Sequence, residues 1–118
     1  MLNKNNQYQL KGRVWIEIDN KTFIGEGKAA LLRKTAELGS LRKASGALEM
    51  SYRQAWYSIN QMNKSAGKPV ILLHRGGKNG GIAQITEFGK EILSIFEKSQ
   101  HEFGNFLKNQ TIILNTHA

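Results

Sequence analysis

Closely spaced helix start and stop signals in the middle of the chain leave it few ways to fold. Gly39 stands where a helix C-cap is expected, at the end of a stretch with apolar residues at helical spacing. Ser40 and Ser51 are N-cap residues, each in front of a further helical pattern, and Pro69 lies just past the end of the second one. The sequence therefore predicts three consecutive helices over about residues 28–66, the last two joined by a tight turn.

Two β-hairpins are expected on either side of these helices. Apolar and polar residues alternate within residues 10–24, with a turn at Asp19-Asn20-Lys21, which is typical of a half-buried hairpin. A second hairpin is predicted over residues 70–85 around the glycine-rich loop HRGGKNGG. Thr86 is the expected N-cap of a long, apolar C-terminal helix over residues 86–108. We predict a single domain over residues 1–118, of α+β class and predominantly helical.

Two short helices with a hairpin after them match a winged helix-turn-helix, in which the second helix of the pair enters the major groove of DNA. If Ala55, Ile59 and Met62 face the core, the other side of that helix faces outward. Arginine can pair with guanine edges, and glutamine or asparagine with adenine. The outward candidates are Arg53, Tyr57, Asn60 and Lys64, with Gln54 and Gln61 at the edge.

The basic residues are concentrated in the same region. The net charge is +8, and residues 28–78 contain ten basic and two acidic residues, so this window alone carries a charge of +8. A concentrated positive field attracts polyanions, which makes double-stranded DNA the first candidate partner and an anionic membrane surface the second. An ordinary solvated basic surface is the alternative interpretation.

Further phosphate contacts are predicted on the helix before the turn and in the loop of the second hairpin. Glycines let the loop backbone approach the sugar-phosphate chain, and its basic side chains neutralise the phosphates. A flexible connection and solvated surface charges are the alternatives, and Tyr52 either donates to a phosphate or packs against the core. The predicted contacts are Arg42 and Lys43 on the helix, and Arg75, Lys78 and Asn79 in the loop.

The C-terminal helix carries more aromatic surface than one small domain covers, which predicts a homodimer. The alternative is a helix folded back on its own core. A twofold dimer favours an inverted-repeat operator, with recognition helices roughly 34 Å apart. The residues assigned to the dimer interface are Phe88, Ile92, Ile95, Phe96, Phe103 and Phe106.

Nothing in the sequence favours an enzyme. The chain has no cysteine, and its three histidines are widely separated, so we expect no metal site and no cofactor. The segment GEGKAA from Gly25 loosely matches a dinucleotide-binding motif, but the sequence predicts none of the repeated parallel strands that such a fold needs. The Gly77-Lys78 pair lacks the glycine spacing and the following Ser or Thr of a P-loop. Carboxylates form no acid-base pair. With no signal peptide or membrane span, a cytoplasmic protein is expected.

Three segments resemble the N-terminal DNA-binding domain of ModE-type molybdate-responsive regulators and, more distantly, the LysR-type helix-turn-helix. They are SYRQAW from Ser51, INQMN from Ile59 and GGKNGG from Gly76. The resemblance covers roughly residues 12–107. It implies a dimeric transcription factor and a link to molybdate regulation. This chain departs from the family pattern at Glu49, which occupies a turn position where such proteins often have glycine. The oxyanion-binding C-terminal domain of full-length members is not matched, so we do not expect this chain itself to bind molybdate. The recognition residues map onto Ser51, Tyr52, Arg53 and Gln54, and the wing residues onto 75–81.

The leading hypothesis is a sequence-specific transcriptional regulator that binds duplex DNA as a dimer. The alternative is an architectural or protein-interaction module that binds DNA weakly or pairs with a separate sensor protein.

Overall fold

The computed structural model describes residues 2–74 and 81–117. The chain forms two compact units, one made of residues 15–96 and one made of the two chain ends, residues 1–14 and 97–118. The assignment of the whole chain to a single domain stays a prediction. The elements, in chain order, are β1 (Ile16–Ile18), β2 (Lys21–Ile24), α1 (Glu26–Leu38), α2 (Leu41–Ala47), α3 (Tyr52–Ala66), β3 (Ile71–His74), β4 (Ile82–Ile85) and α4 (Glu87–Thr116).

Four helices and two antiparallel hairpins confirm the predicted α+β, mainly helical class. In the first hairpin, Ile18 pairs with Lys21 across a two-residue turn. Asp19 and Asn20 both have positive φ, at 50° and 67°, which is the geometry of the tight turns that suit hairpins and that asparagine and aspartate tolerate. In the second hairpin, β3 and β4 pair in continuous register from Ile71 with Ile85 onward.

The predicted helix caps form as the sequence indicates. The Ser40 hydroxyl accepts from the backbone N–H of Lys43 at 3.2 Å, and the Ser51 hydroxyl accepts from that of Gln54 at 3.0 Å. Gly39 ends α1 with a left-handed φ of 67°. These caps satisfy backbone groups that a helix end leaves unpaired, so three short helices fit into about forty residues.

The core of the unit made of residues 15–96 draws on every one of its elements except β1. α1, α3 and the second hairpin contribute side chains with no more than about 1% exposure, and α4 contributes Phe96 at 1%. Thr35 of α1 is also fully buried, and its hydroxyl has no hydrogen-bond partner among the described residues. The largest members of this core are Phe23, Ile24, Leu31, Leu32, Ile59, Met62, Val70, Ile71 and Phe96.

Helix α4 begins against the second hairpin. The Thr86 hydroxyl accepts from the Gly89 N–H at 2.9 Å, which confirms the predicted N-cap, and it donates to the Pro69 carbonyl at 2.8 Å. A Cβ on Gly89 would collide with the Val70 carbonyl oxygen and lie 2.8 Å from a side-chain atom of Ile85. The glycine therefore permits the close approach of helix to hairpin. The prediction that this helix ends near residue 108 is wrong, because α4 continues to Thr116.

The two chain ends form the other unit. The Tyr8 backbone exchanges two hydrogen bonds with the Asn115 side chain, at 2.9 and 3.0 Å, and the Leu10 N–H donates to the Thr111 hydroxyl at 3.0 Å. Gly12 lies against the ring of Phe103. An extended segment is thus held along the last turns of α4 by side-chain hydrogen bonds. None of the described residues in this unit is buried.

Candidate nucleic-acid interface

Helix α3 has one fully buried side and one exposed side. Ala55, Ile59 and Met62 are each 0% exposed, as the sequence pattern predicts. Arg53 and Tyr57 lie on the opposite side of the helix and are exposed, Tyr57 by 61%. Lys64 is exposed on the same side as these two residues. The buried stripe fixes the rotation of the helix about its axis, so this polar side is presented to solvent.

The amide side chains of α3 are partly engaged within the chain. The Asn60 side-chain N–H donates to the Trp56 carbonyl at 2.9 Å, which turns this amide back along its own helix. The Gln61 amide lies 3.4 Å from the Tyr57 hydroxyl, and its oxygen accepts from the Lys28 ammonium at 3.4 Å. These contacts leave Asn60 and Gln61 less suited to bidentate contact with a base edge, whereas the Arg53 guanidinium and the Gln54 amide are exposed groups of the kind that can make one.

The N-terminus of α3 is supported by α2. Ser51 serves as the N-cap of α3, and Tyr52 is half-buried with the Arg42 guanidinium 4.7 Å above its ring. A cation over an aromatic face is attractive, so this contact fixes the two side chains against each other. Of the two interpretations of Tyr52, packing thus has structural support, and a phosphate contact stays a prediction. Lys43 and Gln54 are exposed beside them.

Trp56 is a surface residue of α3 that the sequence analysis did not single out. Its side chain is 46% exposed, on the flank of α3 that faces the second hairpin. There it lines a shallow cleft of about 250 Å³ together with Tyr52, Asn60 and Ile82, the last of which is 65% exposed. Helical angle could have indicated this position, since Trp56 lies about 100° from the centre of the buried stripe.

Asn63 is a second residue that sequence reasoning missed. Its amide N–H donates to the Ile71 carbonyl at 3.0 Å, and its amide oxygen accepts from the Val70 N–H at 2.8 Å. One side chain thus satisfies both a donor and an acceptor at the start of β3. The contact links the C-terminal half of α3 to the second hairpin. The only sequence signal for it is that Asn63 is the last residue of the INQMN segment.

The predicted loop contacts Arg75, Lys78 and Asn79 lie outside the described residues. The residues on either side of this loop belong to the cleft described above, since His74 and Gly81 line it. Gly81 has a φ of 92°, a backbone conformation that residues other than glycine rarely adopt.

The six residues assigned to a dimer interface have different surroundings. Phe96 is buried in the core of its own unit, which withdraws it from contact with another chain. Phe88 is half-buried, with the Lys68 ammonium 4.2 Å above its ring. Phe106 is 52% exposed and stacks on the half-buried Phe103 at a ring separation of 6.2 Å. Ile95 is 50% exposed and Ile92 is half-buried.

Within residues 2–74 and 81–117, no cluster of three or more histidine, aspartate or glutamate side chains is arranged to hold a metal ion. None of the helices in the described part of the chain combines the length and apolar character that crossing a bilayer requires.

The sequence matches no family model. It is nevertheless similar to several curated proteins. A molybdenum transport protein ModE from Azotobacter vinelandii is 28% identical over 103 residues, which cover 87% of this chain and 38% of that protein. A transcriptional regulator ModE from Haemophilus influenzae is 27% identical over 104 residues, covering 86% of this chain and 41% of that protein. The molybdenum-pterin-binding protein MopB of Rhodobacter capsulatus is 32% identical over 73 residues, covering 62% of this chain and 27% of that protein.

The chain therefore spans about two fifths or less of the length of these relatives. Their names describe regulators and molybdenum-related proteins, and none of the three is named as an enzyme. The similarity to these ModE proteins extends over most of the length of this chain.

Proposed function

We propose that this chain is a sequence-specific DNA-binding transcriptional regulator with a winged helix-turn-helix. Helix α3 enters the major groove, and residues 75–81 act as the wing against the DNA backbone. One observation carries the proposal above the others. The buried stripe of Ala55, Ile59 and Met62 turns Arg53 and Tyr57 outward, on a helix within the most basic part of the chain.

The names of the relatives support regulation and suggest its subject. Similar proteins from Haemophilus influenzae and Escherichia coli are named as a transcriptional regulator ModE and as a DNA-binding transcriptional dual regulator ModE. Others are named for molybdenum transport or molybdenum-pterin binding. We therefore propose a regulatory role linked to molybdate, with duplex DNA as the partner of this chain.

A homodimer is part of this proposal. Phe103 and Phe106 give α4 an aromatic surface that the described part of its own unit leaves partly exposed, and Ile112 is 59% exposed further along the helix. Burying such a surface between two chains is favourable by about 25 cal/mol per Å². A twofold dimer would place two copies of α3 roughly 34 Å apart and would favour an inverted-repeat operator.

Selection of bound fragments from the source genome, followed by affinity measurement at several salt concentrations, tests the function. A specific regulator prefers one site over bulk DNA by about 1,000-fold or more, and its affinity falls steeply with salt. Binding of equal strength to all fragments would instead support the architectural module considered at the outset.

Substitution of Arg53 then tests the recognition helix. Arg53→Ala is expected to cost about 1–3 kcal/mol at the preferred site and to relax the base preference at one position, because a bidentate base contact is lost. Lys78→Ala is the matched control in the wing and should weaken all sequences alike. A uniform loss for Arg53→Ala as well would show that Arg53 contacts only phosphate.

A further inference from the structure

We infer that Lys28, at the beginning of α1, binds a backbone phosphate of duplex DNA at the border of the major groove, beside Gln61 and Tyr57 of α3. The inference rests on the proposed function and adds a contact from α1, a helix to which that function assigns none. Its basis is a short run of hydrogen bonds that crosses from α1 to the exposed side of α3.

The run joins three side chains of the unit made of residues 15–96. The Lys28 ammonium donates to the Gln61 side-chain oxygen at 3.4 Å, and the Gln61 side-chain N–H donates to the Tyr57 hydroxyl at 3.4 Å. Gln61 follows Tyr57 by four residues, so the two lie one turn apart on nearly the same side of α3. Lys28 is half-buried, whereas Gln61 and Tyr57 are exposed. The ammonium group is thus brought from α1 to the polar side of α3.

The lysine fixes the direction of these hydrogen bonds. An ammonium group has donors and no acceptor, so the Gln61 amide must turn its oxygen to Lys28 and its N–H to Tyr57. The Tyr57 hydroxyl oxygen accepts from that N–H, which leaves its own proton available to a further acceptor. Lys28 has two N–H donors beyond the one that Gln61 accepts. Both ends of the run therefore offer donors, which suits a partner that is rich in acceptors, such as a phosphate group.

The charge of Lys28 favours an anionic partner. Within residues 2–74 and 81–117, Lys28 makes no ion pair, whereas Lys34 of the same helix pairs with Glu37 at 3.7 Å. A cation that is partly withdrawn from water interacts more strongly with an anion than a fully solvated one does. Lys28 lines a cleft of about 370 Å³, and the other described residues that line it carry no charge; they are Gly27, Ala30, Leu31, Leu48, Met50 and Ser58.

The position of Lys28 favours a phosphate over a base edge. The major groove is about 12 Å wide and admits one helix, so the base edges meet the side chains of that helix and the sugar-phosphate chains lie on either side of it. Lys28 belongs to α1 and reaches α3 from the side, through Gln61. With α3 in the groove, its ammonium faces the phosphates that border the groove, where lysine acts as a point charge.

The salt dependence of binding by the full chain tests the contact, on the preferred site and on bulk duplex DNA. Lys28→Met keeps an unbranched apolar stem and removes the charge. We expect about a fivefold to tenfold loss of affinity at ~0.1 M salt, and a plot of log affinity against log salt that is less steep by about 0.9, because one phosphate fewer is neutralised. Lys28→Arg keeps the charge and should retain the slope. Lys34→Met is the matched control in α1 and should also retain it.

Neutral methylphosphonate linkages, introduced one at a time along the preferred site, locate the phosphate. The unsubstituted protein should lose affinity at each contacted position. At one or two of these positions, Lys28→Met should bind the neutral and the charged linkage equally, because the cation that distinguishes them is absent. Gln61→Glu places a carboxylate beside the ammonium and should lose sensitivity at the same positions. Since Gln61 is exposed, this variant also provides the test if Lys28→Met does not fold.

The outcomes separate the inference from the proposed function. An unchanged salt slope for Lys28→Met overturns the inference alone, since Lys28 would then only link α1 to α3. The inference is also overturned if Lys28→Met loses affinity but responds to every methylphosphonate as the unsubstituted protein does. A protein that prefers no site, but has a smaller slope on bulk DNA in Lys28→Met, retains the phosphate contact and overturns the proposed regulator. A protein that binds no duplex DNA overturns both.

Discussion

The two units of this chain use apolar residues in opposite ways, although α4 runs through both. In the unit of residues 15–96, Phe23, Leu32 and Ile59 are at most 2% exposed. In the unit of the chain ends, no described residue is buried, and Phe106 and Ile112 are more than half exposed. Apolar content alone therefore does not make a core. What distinguishes the two units is whether other elements of the same chain surround the apolar face.

The second unit depends instead on directional contacts and, as proposed, on another copy of the chain. Its extended segment is held by Asn115 and Thr111 through exposed hydrogen bonds. A hydrogen bond contributes about 0.5–1.5 kcal/mol net, so a few of them order a segment but do not replace a core. We therefore expect the stability of this unit to depend on protein concentration, and that of the other unit much less.

The largest effect is expected from a charge placed on the exposed aromatic face. Phe106→Asp removes an apolar contact from both chains of the proposed dimer, at about 3–6 kcal/mol in total, which weakens the dimer at least ~100-fold. Analytical ultracentrifugation of a dilution series measures this. Phe106→Leu, which stays apolar, should change the dissociation constant by less than ~10-fold. An unsubstituted chain that is monomeric at every concentration would contradict both the dimer and this prediction.

Truncation of one aliphatic residue in each unit compares the two directly. Leu32→Ala should lower the free energy of unfolding by about 2–5 kcal/mol, because it leaves a cavity in a closed core. Ile113→Ala should lower the free energy of unfolding by less than ~0.5 kcal/mol in dilute protein, because Ile113 is already 46% exposed. Urea unfolding of both variants gives the two values. Equal losses would show that the chain ends have a core after all.

Two glycines within α4 should respond to alanine with opposite signs. Gly89→Ala is expected to destabilise the protein by about 1–3 kcal/mol, because the new methyl group meets the Val70 carbonyl. A Cβ added at Gly104 has no described atom outside its own helix backbone within 4 Å. Gly104→Ala should therefore stabilise the protein by up to ~1 kcal/mol, because alanine has a higher helix propensity than glycine. Thermal unfolding distinguishes them. A destabilising Gly104→Ala would reveal a close neighbour at that position in the assembled protein.

The smallest effect concerns the Thr35 hydroxyl, which is buried without a hydrogen-bond partner within residues 2–74 and 81–117. Thr35→Val replaces a buried hydroxyl that has no partner by a methyl group, so it should raise the free energy of unfolding by about 1 kcal/mol. Thr35→Ser is the matched control, since it keeps the hydroxyl, loses the methyl group and should destabilise. Denaturant unfolding of the three proteins measures both changes, and a loss of stability in Thr35→Val would indicate that the hydroxyl has a partner in solution.

Much of the fold follows from local signals in the sequence. Ser40, Ser51 and Thr86 each cap a helix as predicted, because a hydroxyl at that position is adjacent to the backbone N–H groups it must satisfy. The buried side of α3 follows from the spacing of Ala55 and Ile59, since helical geometry fixes which residues share a side. Both kinds of signal act within a few residues of the chain.

The features that were missed depend on residues distant in sequence. Trp56 is large and apolar, but the neighbouring elements leave its flank of α3 open. Asn63 lies within a helical pattern, and its partners, Val70 and Ile71, follow Pro69 at the beginning of the second hairpin. The length of α4 was underestimated because the segment TIILNT, rich in β-branched residues, has weak helix propensity. In the structure this region is helical, and there the Thr111 hydroxyl accepts from the Leu10 N–H while the Asn115 amide donates to the Tyr8 carbonyl.

The amide of Asn63 has a mechanical consequence for the unit of residues 15–96. It holds both Val70 and Ile71 against α3, while the Val70 carbonyl accepts from the backbone and the hydroxyl of Thr86 at the start of α4. The end of α3, the first strand of the hairpin and the beginning of α4 are thus linked by consecutive short hydrogen bonds. A tilt at the beginning of α4 would therefore be transmitted to α3 and, under the proposed function, would change the angle at which this helix enters the groove.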